Sequence, residues 1–150
     1  METLETFSDT EKVAQHFYCA CCDYTTSRRN NFTKHLLTRK HQKSSNGNTA
    51  LILAASNGHT DVVKALLEKG AKIEETDKSG KTALMYAAGE GHTETVKLLI
   101  DRGAEVNKAN HDGWTALIKA AFYSHTETVR LLIDRGAEVD KADHDGWTAL

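Results

Sequence analysis

One hundred and fifty residues make room for one ordinary domain or for two small units joined together. With 39% hydrophobic and 27% charged residues and a mean hydropathy of -0.51, the composition is that of a soluble chain that still has a core to bury. A net charge of -2 argues at face value against a nucleic-acid binder, three cysteines argue against a complete disulfide framework, and the absence of proline excludes a proline-rich linker.

Residues 1–16 form an acidic N-terminal segment of charge -3. Met1 to Asp9 has neither a basic start nor an apolar run, so it does not read as a secretory signal, and its lack of arginine excludes a mitochondrial presequence. No stretch reaches the 18 or more apolar residues that a membrane helix needs, so no membrane partner is expected. Unpaired cysteines favour a reducing, intracellular setting, either cytoplasm or nucleus.

All three cysteines fall in residues 17–43, which carry Arg28, Arg29, Lys34, Arg39, Lys40 and Lys43 against Asp23 for a local charge of +5. Cys19 and Cys22 followed by His35 and His41 give the spacing C-x2-C-x12-H-x5-H. Two thiolates and two imidazoles close a tetrahedral structural zinc site, and the x2 gap folds both thiolates around one ion in a tight turn. The x12 interval allows a hairpin return and the first turns of a helix. Twenty-seven residues bury too little to fold alone, so metal binding must supply most of the stability. Cys21 is either an alternative ligand or a spare thiol.

These residues resemble a C2H2 zinc finger. Phe17 matches the aromatic before the first cysteine and Phe32 the apolar residue before the first histidine, while Thr26 departs from the pattern and Tyr24 takes its filling role. The resemblance implies a small ββα fold and base-contact positions at Arg28, Asn30, Asn31 and Lys34. Arginine pairs with guanine and asparagine with adenine in the major groove, but a lone finger reads only about three base pairs. The five-residue gap between the histidines also resembles fingers that grip double-stranded RNA by shape.

After a linker at 44–46, the chain repeats. Gly47, Gly80, Gly113 and Gly146 each open G-x-T-A-L at intervals of 33 residues, and residues 80–112 and 113–145 agree at 24 of 33 positions. The expected units are 47–79, 80–112, 113–145 and a partial fourth at 146–150, together an array over 47–150. Thr49, Thr82 and Thr115 are N-cap candidates for a first short helix. Gly58, Gly91 and Ser124 break the chain before a second helix striped by Val62, Val63, Leu66 and Leu67 and their repeats. Gly70, Gly103 and Gly136 follow it, where a left-handed residue is wanted. Two helices per repeat cannot bury a core alone, whereas stacked neighbours can.

The repeats resemble the ankyrin family through Gly80-Lys81-Thr82-Ala83-Leu84, Ala87-Ala88, Gly91-His92, Val96-Lys97-Leu98-Leu99 and Gly103-Ala104-Glu105-Val106-Asn107. The resemblance implies a mainly α fold, an ankyrin-repeat solenoid with β-turn tips, here behind a small ββα zinc finger. Alanine replaces the family's T-P-L-H proline in every copy, and the motif's histidine becomes Ile52, Met85 and Ile118, which removes a polar tie. The third repeat's apolar stripe is expected to face solvent, as in an array that continues. The pairing of such a finger with such an array is similar to proteins of large DNA viruses, and for a viral protein the intracellular setting is that of the host cell.

By the same resemblance, partners are bound at turn tips and exposed first-helix positions: Lys78, Lys81, Glu90, His111, Asp112, Trp114, Phe122 and Tyr123. Trp114 is expected to be exposed, and Phe122 and Tyr123 either exposed or packed on a neighbour. His59, His92 and His125 are expected to be framework residues that hydrogen-bond locally. No catalytic motif is present, which points to a non-enzymatic protein-interaction adaptor without a small-molecule substrate. The alternative is a DNA- or RNA-binding protein whose finger is the main module. The net charge is itself a composite, since -3, +5 and -4 for residues 47–150 conceal a basic module between acidic ones.

Overall fold

The computed structural model describes residues 47–149 in full and, before them, the backbone of two strands. Strand β1 (Phe17–Cys19) pairs antiparallel with β2 (Tyr24–Thr26), with Phe17 opposite Thr26 and Cys19 opposite Tyr24. The remaining residues of the proposed finger lie outside the described part.

Among the described residues, six helices form three hairpins: α1 (Ala50–Ser56) with α2 (Thr60–Glu68), α3 (Ala83–Gly89) with α4 (Thr93–Asp101), and α5 (Ala116–Phe122) with α6 (Thr126–Asp134). Each first helix starts where its threonine stands in extended conformation and caps it. The hydroxyl oxygens of Thr49, Thr82 and Thr115 accept from the N–H of Ile52 (3.2 Å), Met85 (3.3 Å) and Ile118 (3.2 Å). Alanine therefore suffices where proline would have preset the first turn. The chain then reverses through a left-handed residue at Gly58, Gly91 or Ser124, with φ of 66°, 71° and 60°.

The first helices stack as one layer, α1 on α3 on α5, and the second helices as another. Small residues on the inner helices allow this approach. Ala54, Ala55, Ala87, Ala88 and Ala120 are fully buried, and Ile52 and Met85 fill the space between layers at 1% exposure. The position that could have held a histidine is thus apolar core, and polar ties arise elsewhere. His92 Nε2 reaches Ser56 O at 3.1 Å and His125 Nε2 reaches Gly89 O at 2.9 Å. These bonds join successive repeats and are not local, which corrects the expectation for the two histidines. Thr60 and Thr93 hydroxyls lie 2.8 Å from those of Thr95 and Thr128, adding a partly buried rung at each junction.

The expectation for the third repeat's stripe holds only in part. Leu132 is fully buried because it packs inward, Val129 is half-buried, and Ile133 is 44% exposed. Among the described residues no helix is long and apolar enough to cross a membrane.

Candidate protein-binding face

Each turn tip is organised by one carboxylate or amide. Asp77 Oδ1 accepts from the N–H of Ser79 and Lys81, both at 2.9 Å. Asn110 Oδ1 accepts from Asp112 (3.1 Å) and Trp114 (2.8 Å), and Asp143 Oδ1 from Asp145 (3.0 Å) and Trp147 (2.8 Å). Successive tips are also joined, since the N–H of His111 donates to Ser79 O (3.0 Å) and that of His144 to Asp112 O (3.1 Å). Lys78, His111 and Asp112 are therefore exposed on a pre-organised edge, with Lys81 half-buried beside them.

Tyr86 donates its hydroxyl to Asp77 Oδ2 at 2.8 Å. Burial of Asp77 would raise its carboxyl, but hydrogen bonds from Lys81, Tyr86 and Ser79 outweigh it and hold the group below its ordinary 3.8. Burial and the neighbouring carboxylate push Tyr86 up to about 12. A depressed folded value means that the stabilisation is complete above 3.8 and is lost as pH falls through the lower folded value. Asp77→Asn should keep the Oδ1 bonds, as Asn110 does naturally, and remove this part of the acid sensitivity. Comparing thermal unfolding of the two proteins between neutral pH and the acid side of 3.8 checks this.

The most distinctive surface lies on α5. Lys119 and Phe122 are three residues apart and share a helical face, onto which Trp114 folds from the tip. The Trp114 and Phe122 centroids are 5.2 Å apart, Phe122 meets Tyr123 edge-on at 5.1 Å, and Lys119 Nζ stands 5.7 Å from the Trp114 ring. Phe122 is 66% exposed and Tyr123 53%, whereas Trp114 is half-buried. This reverses the expectation for Trp114, because its long side chain lies along α5 beneath Lys119 and Phe122. Burial, then repulsion from Lys81, holds the Lys119 ammonium below its usual range, and among the described residues no carboxylate pairs with it. Glu90, exposed at the end of α3, flanks the strip.

The structure thus brings together Lys81, Glu90, Asp112, Trp114, Phe122 and Tyr123, with Lys78 and His111 along the tips. Lys119 is a member that sequence reading missed. It could have been found by aligning repeats, where Leu53, Tyr86 and Lys119 occupy one position, and by its helical spacing to Phe122 and Tyr123. Cys22, His35, His41, Arg28, Asn30, Asn31 and Lys34 lie outside the described residues, as does the side chain of Cys19.

A family model of ankyrin repeats matches three copies, over residues 18–110 and 107–150. The chain belongs to the ankyrin repeat family. It is also similar to the NAD-capped RNA hydrolase NUDT12 of Macaca fascicularis, 33% identical over 72 residues, or 48% of this chain and 16% of that protein. The proteins of the same name from Pongo abelii and Homo sapiens are each 33% identical over 69 residues, covering 46% of this chain and 15% of theirs. The matched stretch is therefore a minor part of the curated relatives. Ankyrin arrays are generally non-catalytic and suggest a protein-interaction role. In this one the aromatic strip and the joined tips lie where stacking leaves side chains free.

Proposed function

We propose that the protein is a non-enzymatic adaptor whose ankyrin array binds a partner protein through Trp114, Lys119, Phe122 and Tyr123, rimmed by Glu90, Lys81 and the tips at Lys78, His111 and Asp112. The observation that carries this reading is the exposure of Phe122 and Tyr123, 66% and 53%, at positions held by Gly89 and Glu90 in the preceding repeat. Exposed aromatics on a rigid, well-packed frame are the residues that dominate binding energies. A hydrolase activity is not carried over, since 84% or more of the hydrolases lies beyond the stretch they share with this chain. A photo-crosslinking residue at Tyr123 should trap the partner, and one at Arg130 on the outer helix α6 should not; equal trapping at both would refute the reading.

In the same proposal residues 17–43 form a structural zinc finger with Cys19, Cys22, His35 and His41 as ligands. The antiparallel pairing of β1 and β2 supports it, for a hairpin joining Cys19 to Tyr24 is what a two-thiolate grip needs and differs from the two helices of an ankyrin repeat. Bound zinc would cross-link the hairpin to the segment bearing the histidines. The finger docks nucleic acid or a second protein, in the cytoplasm or nucleus. Its charge of +5 favours the nucleic-acid alternative specifically.

Purified intact chain should hold one zinc per chain by elemental analysis, and Cys19→Ser should hold none. Binding to short DNA or RNA duplexes should weaken steeply with added salt. Salt-independent binding would rule out phosphate contacts, and unaltered zinc content in Cys19→Ser would remove that ligand from the set.

A further inference from the structure

Two junctions between successive repeats are complete among the described residues, and they share one device. At the first, His92 Nε2 meets Ser56 O at 3.1 Å; at the second, His125 Nε2 meets Gly89 O at 2.9 Å. Each imidazole lies against a left-handed glycine of the preceding repeat, Gly58 (φ 66°) or Gly91 (φ 71°). Neither position has room for a side chain. A β carbon on Gly58 would stand 2.6 Å from His92 Nδ1, and one on Gly91 would stand 2.5 Å from His125 Nδ1.

The third repeat repeats the turn with a different residue. Ser124 takes a φ of 60° and is the one non-glycine residue of positive φ among the described residues. It places a real β carbon where the other two repeats leave a slot, and does so at the usual energetic cost of a left-handed residue. The rest of the face keeps its junction chemistry. The Phe122 carbonyl stands at the position of the Ser56 and Gly89 acceptors, and Thr126 at that of Thr60 and Thr93, which bond Thr95 and Thr128 at 2.8 Å. Asp134 matches Asp101, which accepts from Arg135 at 2.6 Å. Ile133 is 44% exposed where Ile100, under the next repeat, is half-buried.

We infer that the outer face of the third repeat is a stacking surface for an ankyrin-type repeat that has a small residue in place of the turn histidine, and that Ser124 excludes histidine-bearing repeats. The occupant is specified by continuity with the two junctions already formed: a two-helix repeat offering a threonine to Thr126 and a cation to Asp134, with no imidazole at the turn. All three full repeats of this chain bear the histidine, as His59, His92 and His125.

The test is a double-mutant cycle on the full chain, extended after Leu150 by a copy of residues 118–145 to complete a fourth repeat. Four versions combine Ser124 or Ser124→Gly with histidine or alanine at the added position that corresponds to His125. Equilibrium urea unfolding and amide hydrogen exchange of the added repeat are read for each. The expected result is that Ser124→Gly raises the folding constant of the histidine version about tenfold more than that of the alanine version. With Ser124 retained, the alanine version should protect the added repeat better than the histidine version, even if the latter leaves it unfolded. Equal gains from Ser124→Gly in both versions would overturn the inference, since relief of the left-handed backbone alone gives that result.

Discussion

Leu99→Ala is expected to lower the unfolding free energy by about 3 kcal/mol, within the range for truncating a buried leucine. Leu99 is fully buried on α4, the second helix of the middle repeat, which packs on α3 and on the flanking α2 and α6. A cavity there weakens the repeat through which the outer two are coupled. In a quasi-one-dimensional array each repeat depends on its neighbours, so the loss should appear also as a shallower urea transition. Leu132→Ala, equally buried but in the last full repeat, should cost a similar free energy in its own repeat and leave the first junction intact. Urea unfolding followed by circular dichroism checks both. A cost under about 1 kcal/mol for Leu99→Ala would mean that the middle repeat is not the coupling element.

Gly91→Ala should cost about 2–3 kcal/mol, from two separable sources. The left-handed φ of 71° penalises any side chain, by about 1–2 kcal/mol. The new β carbon would also lie 2.5 Å from His125 Nδ1, so the ring must move and its 2.9 Å bond to Gly89 O is lost, for about 1 kcal/mol or more. Gly103→Ala is the control. Its φ of 91° is equally left-handed, but nothing lies within 4 Å of a β carbon there, so only the backbone penalty remains. Making both changes in a His125→Ala background should bring the two costs together. If they are equal from the outset, the histidine slot does not govern the junction.

Much of the array was legible because its determinants are local. A 33-residue period, threonine before each first helix and a left-handed residue between helices specify each hairpin without reference to its neighbours. What escaped depends on contacts across the stack. Nothing near His92 in the chain says that its ring bonds to Ser56 O, 36 residues earlier. Trp114 and Phe122 are both large aromatics at positions of variable identity, and their exposures depend on how Trp114 folds onto the helix that bears Phe122. Trp114 extends from the tip and covers the helix, which leaves Phe122 at its end in the open. Lys119 escaped for the same reason: its charge suggests solvent, yet its stem lies beside Gly89 of the preceding repeat and its ammonium above an indole. The proposed zinc ligands rest on spacing and on the hairpin that contains Cys19, and elemental analysis is their proper test.

In the proposed adaptor, Phe122 and Tyr123 serve a partner and not the core. This role is tested most directly by comparing the proteins captured by the intact chain and by Phe122→Ala/Tyr123→Ala, with unfolding measured on the same samples. The variant should lose at least one captured protein while its stability changes by no more than about 0.5 kcal/mol per residue, as for surface positions. An unchanged set of captured proteins, or a stability loss of about 3 kcal/mol as for buried aromatics, would contradict that role.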